Sequence, residues 1–201
     1  MTKVGRQPQG TRERLQHALI ELIRVRGYEG ITIQDVVDRA GVGRTTFYLH
    51  FPSKDDLFLS CHEAIVSQFD NGLPHARSRE ELLAPKASAG MIAAYQHLAE
   101  ARAHLNPILQ GKEGYLILRG MRERNAHAIE AALQDAFTEA ASTLPLGVLA
   151  NYLAGAQIAL VQWWLEKRQP YSAEDLAQTF QRLQRSAISE AFGLQDDHLS
   201  R

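Results

Sequence analysis

A short run of polar side chains between residues 44 and 54 holds the groups most able to do chemistry. Arginine can donate two hydrogen bonds to guanine, and a threonine methyl group can contact the methyl group of thymine. Tyrosine, histidine and lysine carry donors that suit phosphate oxygens. The run contains Arg44, Thr45, Thr46, Tyr48, His50 and Lys54. These residue types favour contact with a nucleic acid duplex, provided that a rigid element presents them together.

The sequence before this run predicts two helices. The first spans about Thr11 to Arg26, where apolar residues recur every three or four positions along one face. The second helix is short, and Thr32 can cap its start. Asp35, three residues later, can accept a hydrogen bond from the backbone N–H of Thr32 and so complete an acidic version of the capping box. Free N–H groups at a helix start attract phosphate, which makes Thr32 a candidate contact. Gln34 lies one turn further on and can reach a base edge or a phosphate.

A sharp turn at Gly41–Gly43 leads into a third short helix, from Arg44 to about His50. Two helices joined by a tight, glycine-containing turn form a helix-turn-helix, here about residues 32–51. The major groove is about 12 Å wide and admits one helix, so the third helix must protrude from its support. The side chains predicted to fix it onto the first helix are Val36, Val42, Phe47 and Phe51.

Residues 32–57 resemble the DNA-binding signature of the TetR family of bacterial transcription regulators. The resemblance covers about residues 10–60 and depends on the order of Thr32, Ala40-Gly41-Val42, Phe47-Tyr48, His50-Phe51 and Lys54. Gly43 and Thr45 replace a serine and a glycine that are frequent in the family, which affects operator preference. By position, the resemblance implies DNA contacts from Thr32, Gln34, Arg44, Thr45, Thr46, Tyr48, His50 and Lys54.

The resemblance also implies a function and partners. We expect a cytoplasmic, homodimeric, ligand-responsive repressor that binds double-stranded operator DNA and an unknown small-molecule effector. The alternative is a helical protein-interaction module that keeps this fold without recognising an operator. Binding that weakens steeply with salt would separate the two, because each neutralised phosphate releases counterions.

Composition and charge agree with a folded, soluble chain. Of the 201 residues, 45% are hydrophobic and 22% are charged, which is ordinary for a globular protein. Residues 1–50 hold eight basic and five acidic side chains, and the remainder holds fourteen and eighteen, so a basic end precedes an acidic body. We expect an all-α protein of about nine helices, with a DNA-binding domain at 1–60 and an effector-binding and dimerisation domain at 61–201.

Several other classes of function have no sequence support. No nucleophile elbow, zinc-protease motif or phosphate-binding loop occurs, so we predict no enzyme and no cofactor. His97 and His104 lie seven residues apart without a carboxylate or thiol at ligand spacing, so we predict no metal site. Cys61 is the single cysteine and is expected to be a small buried side chain. No window approaches about 18 uninterrupted apolar residues, so we predict no membrane span, and we expect no secretory signal.

The rest of the chain predicts helices near residues 53–69, 86–104, 115–140, 145–167 and 172–192, with a connection from Asn71 to Pro85 and breaks at Asn106-Pro107 and Gly111–Gly114. The last two helices carry apolar stripes that suit a four-helix dimer interface, although the same stripes can close the chain's own core. The candidate dimer residues are Leu149, Leu153, Ala156, Leu160, Leu176, Phe180, Leu183 and Ala187.

The resemblance implies an effector pocket within this second part. Aromatic side chains with a few polar groups are typical of such a cavity. The candidates are Tyr95, His97, His104, Tyr115, Met121, Tyr152, Gln157 and Trp163, and each of them is explained equally well as an ordinary core residue.

Overall fold

The computed structural model describes residues 10–66, 78–112, 114–138 and 142–194. These residues form ten α-helices and no strand, which confirms the all-α prediction. The described residues divide into two compact units, with the division between Glu63 and Ala64. The first part of the predicted connection, Asn71 to Pro74, and the predicted helix end at Phe69 lie outside the described residues.

The first unit contains three helices and the start of a fourth. They are α1 (Thr11–Arg26), α2 (Ile33–Ala40), α3 (Arg44–His50) and α4 (Lys54–Val66). The predicted apolar face of α1 is buried at Leu15, Ala18, Leu19 and Ile23. Thr32 and Asp35 form the predicted capping box at the start of α2, which fixes where that helix begins.

The second unit is built from six helices. They are α5 (Arg79–Leu82), α6 (Ala89–Glu100), α7 (Arg102–Gln110), α8 (Gly114–Ala136), α9 (Leu146–Glu166) and α10 (Ala173–Ala191). Helices α8 and α9 pack along each other, and α10 packs against both α6 and α9. Leu133, Leu149 and Leu153 meet Ile188 in one apolar cluster, so the start of α9 lies beside the end of α10 and the two helices run antiparallel.

One predicted helix boundary is wrong. Instead of a single helix over residues 86–104, α6 ends at Glu100, and α7 continues through Asn106-Pro107. Pro107 lies in the second turn of α7, where the missing N–H removes only one hydrogen bond of a short helix.

The second predicted break, at Gly111–Gly114, separates α7 from α8. A Cβ atom at Gly114 would stand 2.1 Å from the carbonyl oxygen of Leu109, so the two chain segments approach too closely for any other residue.

Helix α9 is apolar on more than one face. By length and composition alone it is the one described helix that could cross a membrane. Leu149, Leu153 and Trp164 point into the core of the second unit, and each is less than 4% exposed. Val148 and Tyr152 face outward on the same helix and are more than half exposed. A core helix with a second, uncovered apolar face accounts for this composition.

Candidate functional site

The burial of Phe47 fixes the orientation of α3. This side chain is completely buried, and successive residues of an α-helix are rotated by about 100°, so positions two before and two after it lie on the opposite side. Those positions are Thr45 and Leu49, and Leu49 is 79% exposed. Arg44 and Tyr48 lie along one flank of this outward side, and Thr46 and His50 lie along the other.

Most of the predicted contact residues on α3 are available to a partner. Tyr48 is 50% exposed, and Thr46 is half-buried. The three remaining candidates on this helix, Arg44, Thr45 and His50, are exposed. Helix α3 therefore presents a guanidinium, two hydroxyl groups, a phenol and an imidazole around an outward apolar side chain.

Two buried aromatic side chains and one contact with α1 hold α3 in place. The rings of Phe47 and Phe51 pack with their centroids 6.1 Å apart, and both side chains are buried. The guanidinium of Arg12 lies 4.6 Å from the centroid of Phe51 and covers that ring. Tyr48 meets Phe47 edge-on with centroids 5.4 Å apart, which fixes one side of its ring and leaves the other half exposed. Val42, predicted as a fourth anchor, is only half-buried.

The turn before α3 is fixed by its backbone and by a distant arginine. Gly41 has φ of +64°, in the left-handed region that favours glycine, and its N–H donates to the carbonyls of Val37 and Asp38. The guanidinium of Arg14 donates to the carbonyl oxygens of Ala40 and Gly41, the latter at 3.0 Å. Arg14 thus ties α1 to the end of α2 and satisfies carbonyls that the helix leaves free.

Thr32 has a structural partner of its own. Its backbone N–H and its hydroxyl both donate to the carboxylate of Asp35, at 2.8 and 2.6 Å, and the hydroxyl accepts from the Asp35 N–H at 3.2 Å. Arg26 adds an ion pair to the same carboxylate at 2.7 Å. The hydrogen bonds from Thr32, followed by the contact with Arg26, lower the pKa of Asp35 to about 2. The side chain of Thr32 therefore caps α2, and its contact with phosphate stays a prediction.

The low pKa of Asp35 makes the first unit sensitive to acid. Because folding lowers this pKa, the ionised carboxylate stabilises the folded chain above pH 4, and this stabilisation is lost as pH falls from about 4 to about 2. We expect Asp35→Asn to lower the urea midpoint at pH 7 and to match the unsubstituted chain near pH 2. Far-UV circular dichroism of the full chain measures both midpoints. Glu13→Gln, at an exposed carboxylate in the first turn of α1, should show no such convergence.

Lys54 and Gln34, which are both predicted to contact DNA, also have partners within the protein. The ammonium of Lys54 donates to the carbonyl oxygens of Tyr28 at 3.1 Å and Ile31 at 3.0 Å, and it lies 4.1 Å from the centroid of the Tyr28 ring. Lys54 therefore ties α4 to the segment between α1 and α2. Gln34 is exposed and donates to the carboxylate of Asp38 at 2.8 Å.

The structure divides the predicted pocket residues into two groups. Tyr95, Met121 and Gln157 are buried, and His97 is half-buried. His104 is exposed, as are Tyr115 at 73%, Tyr152 at 63% and Trp163 at 40%. These last four side chains are exposed in the described unit, and their assignment to an effector pocket stays a prediction.

A layer of neutral polar side chains crosses the core of the second unit. Asn125 on α8 donates to the side-chain oxygen of Gln157 on α9 at 3.4 Å. Ala154 on α9 and Ile188 on α10 belong to the same apolar cluster. Gln157 lies one turn after Ala154, and Gln184 lies one turn before Ile188. Because α9 and α10 run antiparallel, both glutamines lie on the same side of that cluster and at the same level along the helices. Within the described part of the chain, the Nε2 groups of Gln157 and Gln184 are buried without a hydrogen-bond partner. An unsatisfied buried donor is costly and points to an occupant.

The predicted dimer residues are also divided by burial. Leu149, Leu153, Leu176 and Phe180 are at most 3% exposed and line the core of one copy, so they are not available for a surface contact. Ala156 and Leu183 are exposed, and Leu160 and Ala187 are half-buried. We define the outer face by the exposed apolar side chains Val148, Tyr152, Ala156, Ala159, Trp163 and Leu183.

The described residues also bear on a metal site and on the reactivity of Cys61. In the ranges that the structure describes, no three His, Cys, Asp or Glu side chains are grouped to hold a metal ion. Cys61 is 3% exposed, and burial raises its pKa to about 12, so the thiol stays protonated and is a poor nucleophile.

Sequence reasoning missed four residues of these sites. Leucine is usually a core residue, so its type does not mark Leu49 as a contact, although its position two residues after Phe47 places it outward. Gln184 and Asn125 are buried polar residues of α10 and α8. Apolar periodicity identifies the buried apolar residues of these helices but not their buried polar ones. No local signal identifies Arg14 as the support of the turn, because its partners lie 26 and 27 residues away.

The DNA-binding signature is shared with known proteins. The family model described as "Bacterial regulatory proteins, tetR family" matches residues 16–61, which hold α2, the turn, α3 and much of α1 and α4. This segment is therefore similar to the DNA-binding domain of the TetR family. The TetR-like segment is 33% identical over 55 residues to the HTH-type transcriptional regulator EthR of Mycolicibacterium smegmatis. That match covers 27% of this chain and 25% of EthR.

Solved structures of TetR proteins extend the likeness beyond this segment. A TetR transcriptional regulator from Streptococcus agalactiae is 25% identical with a TM-score of 0.52, over 86% of this chain and 92% of that one. A TetR transcriptional regulator from Rhodococcus sp. RHA1 has a TM-score of 0.57 and 18% identity, over 98% of this chain and all of the other. The second comparison shows a common fold alone.

Proposed function

We propose that this chain is a TetR-family, sequence-specific DNA-binding regulator of transcription that acts as a homodimer. The observation that carries the proposal is the orientation of α3: Phe47 is buried, while Arg44, Thr45 and Tyr48 face outward beside Leu49. Arg44 suits a guanine edge, and Tyr48 and His50 carry donors that suit phosphate oxygens. A twofold dimer would place two such helices in successive major grooves, about 34 Å apart.

The proposal is tested by selecting bound duplexes from a random library with the full chain. A regulator of this kind should return a symmetric site with half-sites about one DNA turn apart, and its affinity should fall steeply with salt. The helical interaction module remains the second candidate, supported by the uncovered outer face of the second unit. Absence of any DNA binding at low salt would favour that module and contradict the regulator.

The outer face is the part of the second unit that we propose for pairing. Val148, Tyr152, Ala156 and Trp163 recur along α9 at helical spacing, and Leu183 adds an exposed apolar side chain on α10. Small residues at this face, Ala156 and Ala159, permit two helices to approach closely. A twofold contact would cover the same apolar patch on both copies, which explains why large side chains are left uncovered in one of them.

We place the effector at the polar layer of Asn125, Gln157 and Gln184. Two buried amide donors at one level require an acceptor, and an oxygen atom of a bound molecule would supply it. The buried polar side chains described in the second unit are all neutral, so they offer no charge to balance an anion. The effector is therefore a mainly apolar, uncharged molecule with an acceptor oxygen, and its binding would favour a dimer geometry that no longer matches the operator.

Gln181 and Gln184 offer a matched test of this placement. Nε2 of Gln181 donates to the carbonyls of Glu81, Leu82 and Ala84 at 3.0 to 3.4 Å, whereas Nε2 of Gln184 is without a partner in the described residues. We expect Gln181→Leu to cost about 2 kcal/mol of unfolding free energy, because three carbonyls lose their donor. Gln184→Leu should leave stability unchanged or raise it, because it removes an unsatisfied group.

Urea unfolding of both full-length variants measures this difference. Equal losses of stability would contradict the placement, because they would show that Gln184 is satisfied in the same way as Gln181. In an operator-release assay with a library of neutral compounds, any active compound should release the unsubstituted protein at a lower concentration than Gln184→Leu.

The sign of regulation and the location of the protein complete the proposal. A dimer that occupies two adjacent grooves would exclude other proteins from the same DNA, which makes repression the simplest outcome. The DNA partner places the protein in the cytoplasm. A reporter gene placed behind the selected operator should be more strongly expressed when the chain is absent.

A further inference from the structure

The outward side of α3 is partly apolar, and the predicted polar contacts do not account for it. Leu49 is 79% exposed, more than any other large hydrophobic side chain on this helix. It lies opposite the buried Phe47, at the centre of the side that protrudes, rather than on a flank. Thr45 stands one turn before it on the same line, so a methyl group and an isobutyl group form one short apolar ridge.

The chemistry of the major groove offers one apolar target to such a ridge. Base edges there present hydrogen-bond donors and acceptors, together with the 5-methyl group of thymine. An isobutyl group cannot hydrogen-bond, so placing it against a polar base edge would leave that edge without its water. Contact with a thymine methyl instead removes two apolar surfaces from water together.

We propose that Leu49 reads the 5-methyl group of a thymine at one position of each half-site. The inference rests on the proposed DNA-binding function and adds a specificity-determining residue to it. The flanking Arg44 and Tyr48 supply polar contacts on one side of the ridge, and Leu49 selects T·A over the other pairs at its own position. Apolar contact, rather than a hydrogen bond, carries this part of the recognition.

The test uses a base that differs from thymine by this methyl group alone. Each thymine of the selected operator is replaced in turn, in both half-sites, by deoxyuridine, and the affinity of the full chain is measured by fluorescence anisotropy at fixed salt. A buried methyl group is typically worth about a fourfold change in affinity, so loss of both is expected to weaken binding by about fifteenfold. With Leu49→Ala, that position should lose its sensitivity, while every other thymine keeps the response seen with the unsubstituted protein.

Two controls keep the result interpretable. Val25→Ala removes an apolar side chain that is 83% exposed at the end of α1, and it should leave the deoxyuridine response unchanged. Leu49→Ala should retain its helical circular dichroism and melting temperature, because it exchanges an exposed leucine for a strong helix former.

The outcomes distinguish the inference from the function on which it rests. Identical deoxyuridine profiles for Leu49→Ala and the unsubstituted protein would overturn the thymine contact and leave a DNA-binding regulator intact. Unchanged operator affinity together with altered self-association in Leu49→Ala would also overturn it, and would assign the ridge to a protein contact. If selection returns no preferred duplex, both the function and this inference fail.

Discussion

Arg44→Ala is expected to reduce affinity for the selected operator by about 30-fold to 10⁴-fold, while binding to random duplex falls much less. A bidentate contact from arginine to guanine is worth about 1–3 kcal/mol of discrimination, and a dimer would lose it in both half-sites. Arg44 is exposed on α3 beside the outward ridge, so its removal leaves the anchoring of Phe47 and Phe51 in place. Anisotropy titrations against the selected and random duplexes at one salt concentration give the specificity ratio.

Arg39→Ala is the matched control for this change. Arg39 is also an exposed arginine of the helix-turn-helix segment, but its guanidinium is paired with Glu21 at 2.8 Å. We expect the specificity ratio of this variant to stay within about twofold of the unsubstituted value, because an exposed ion pair is worth little and touches no base. Equal effects of the two substitutions would show that Arg44 acts through charge alone and reads no base.

Tyr152→Glu is expected to convert the proposed dimer into a monomer at micromolar concentration. A twofold interface brings the same patch of both copies together, so a single substitution places two carboxylates in an apolar contact. Tyr152 is 63% exposed at the centre of the outer face, and its replacement should not disturb the core of one copy. Light scattering of the purified chain measures the change in mass.

The loss of pairing should also appear in DNA binding. Two linked half-site contacts reinforce each other by a factor of about 10² to 10⁴, so the monomer should bind the symmetric operator at least a hundredfold more weakly. Tyr115→Glu is a closely matched control, because Tyr115 is 73% exposed but lies on α8 rather than on the outer face. A dimer that survives Tyr152→Glu and dissociates with Tyr115→Glu would move the interface to α8.

The expected effect of the effector on operator affinity can be compared with the effect of Tyr152→Glu. Allosteric coupling is typically worth about 1–3 kcal/mol, so a bound effector would reduce operator affinity by roughly 5- to 150-fold. Loss of pairing is expected to lower operator affinity more than a bound effector does, because it abolishes the geometry on which both half-sites depend. An effector that released the dimer by dissociating it would therefore have to match the effect of Tyr152→Glu, whereas a change of geometry would leave the mass unaltered.

The sequence by itself determined the first unit almost completely. The capping box at Thr32, the glycine turn at Gly41 and the stop at Pro52 are local signals, in which residues a few positions apart satisfy or remove backbone hydrogen bonds. The apolar spacing of α1 is equally local, because one periodic face is enough to define a short amphipathic helix. These signals placed α3 and made Arg44 and Tyr48 candidates.

The tertiary structure alone decided which side of each helix is covered. Helix α9 is apolar on two faces, so periodicity could not tell the core residues Leu149 and Leu153 from the uncovered Tyr152. Lys54 was predicted as a contact for phosphate, but carbonyls 23 and 26 residues away hold its ammonium. Burial and long-range hydrogen bonds depend on neighbours that are distant in the chain, and no local pattern encodes their positions.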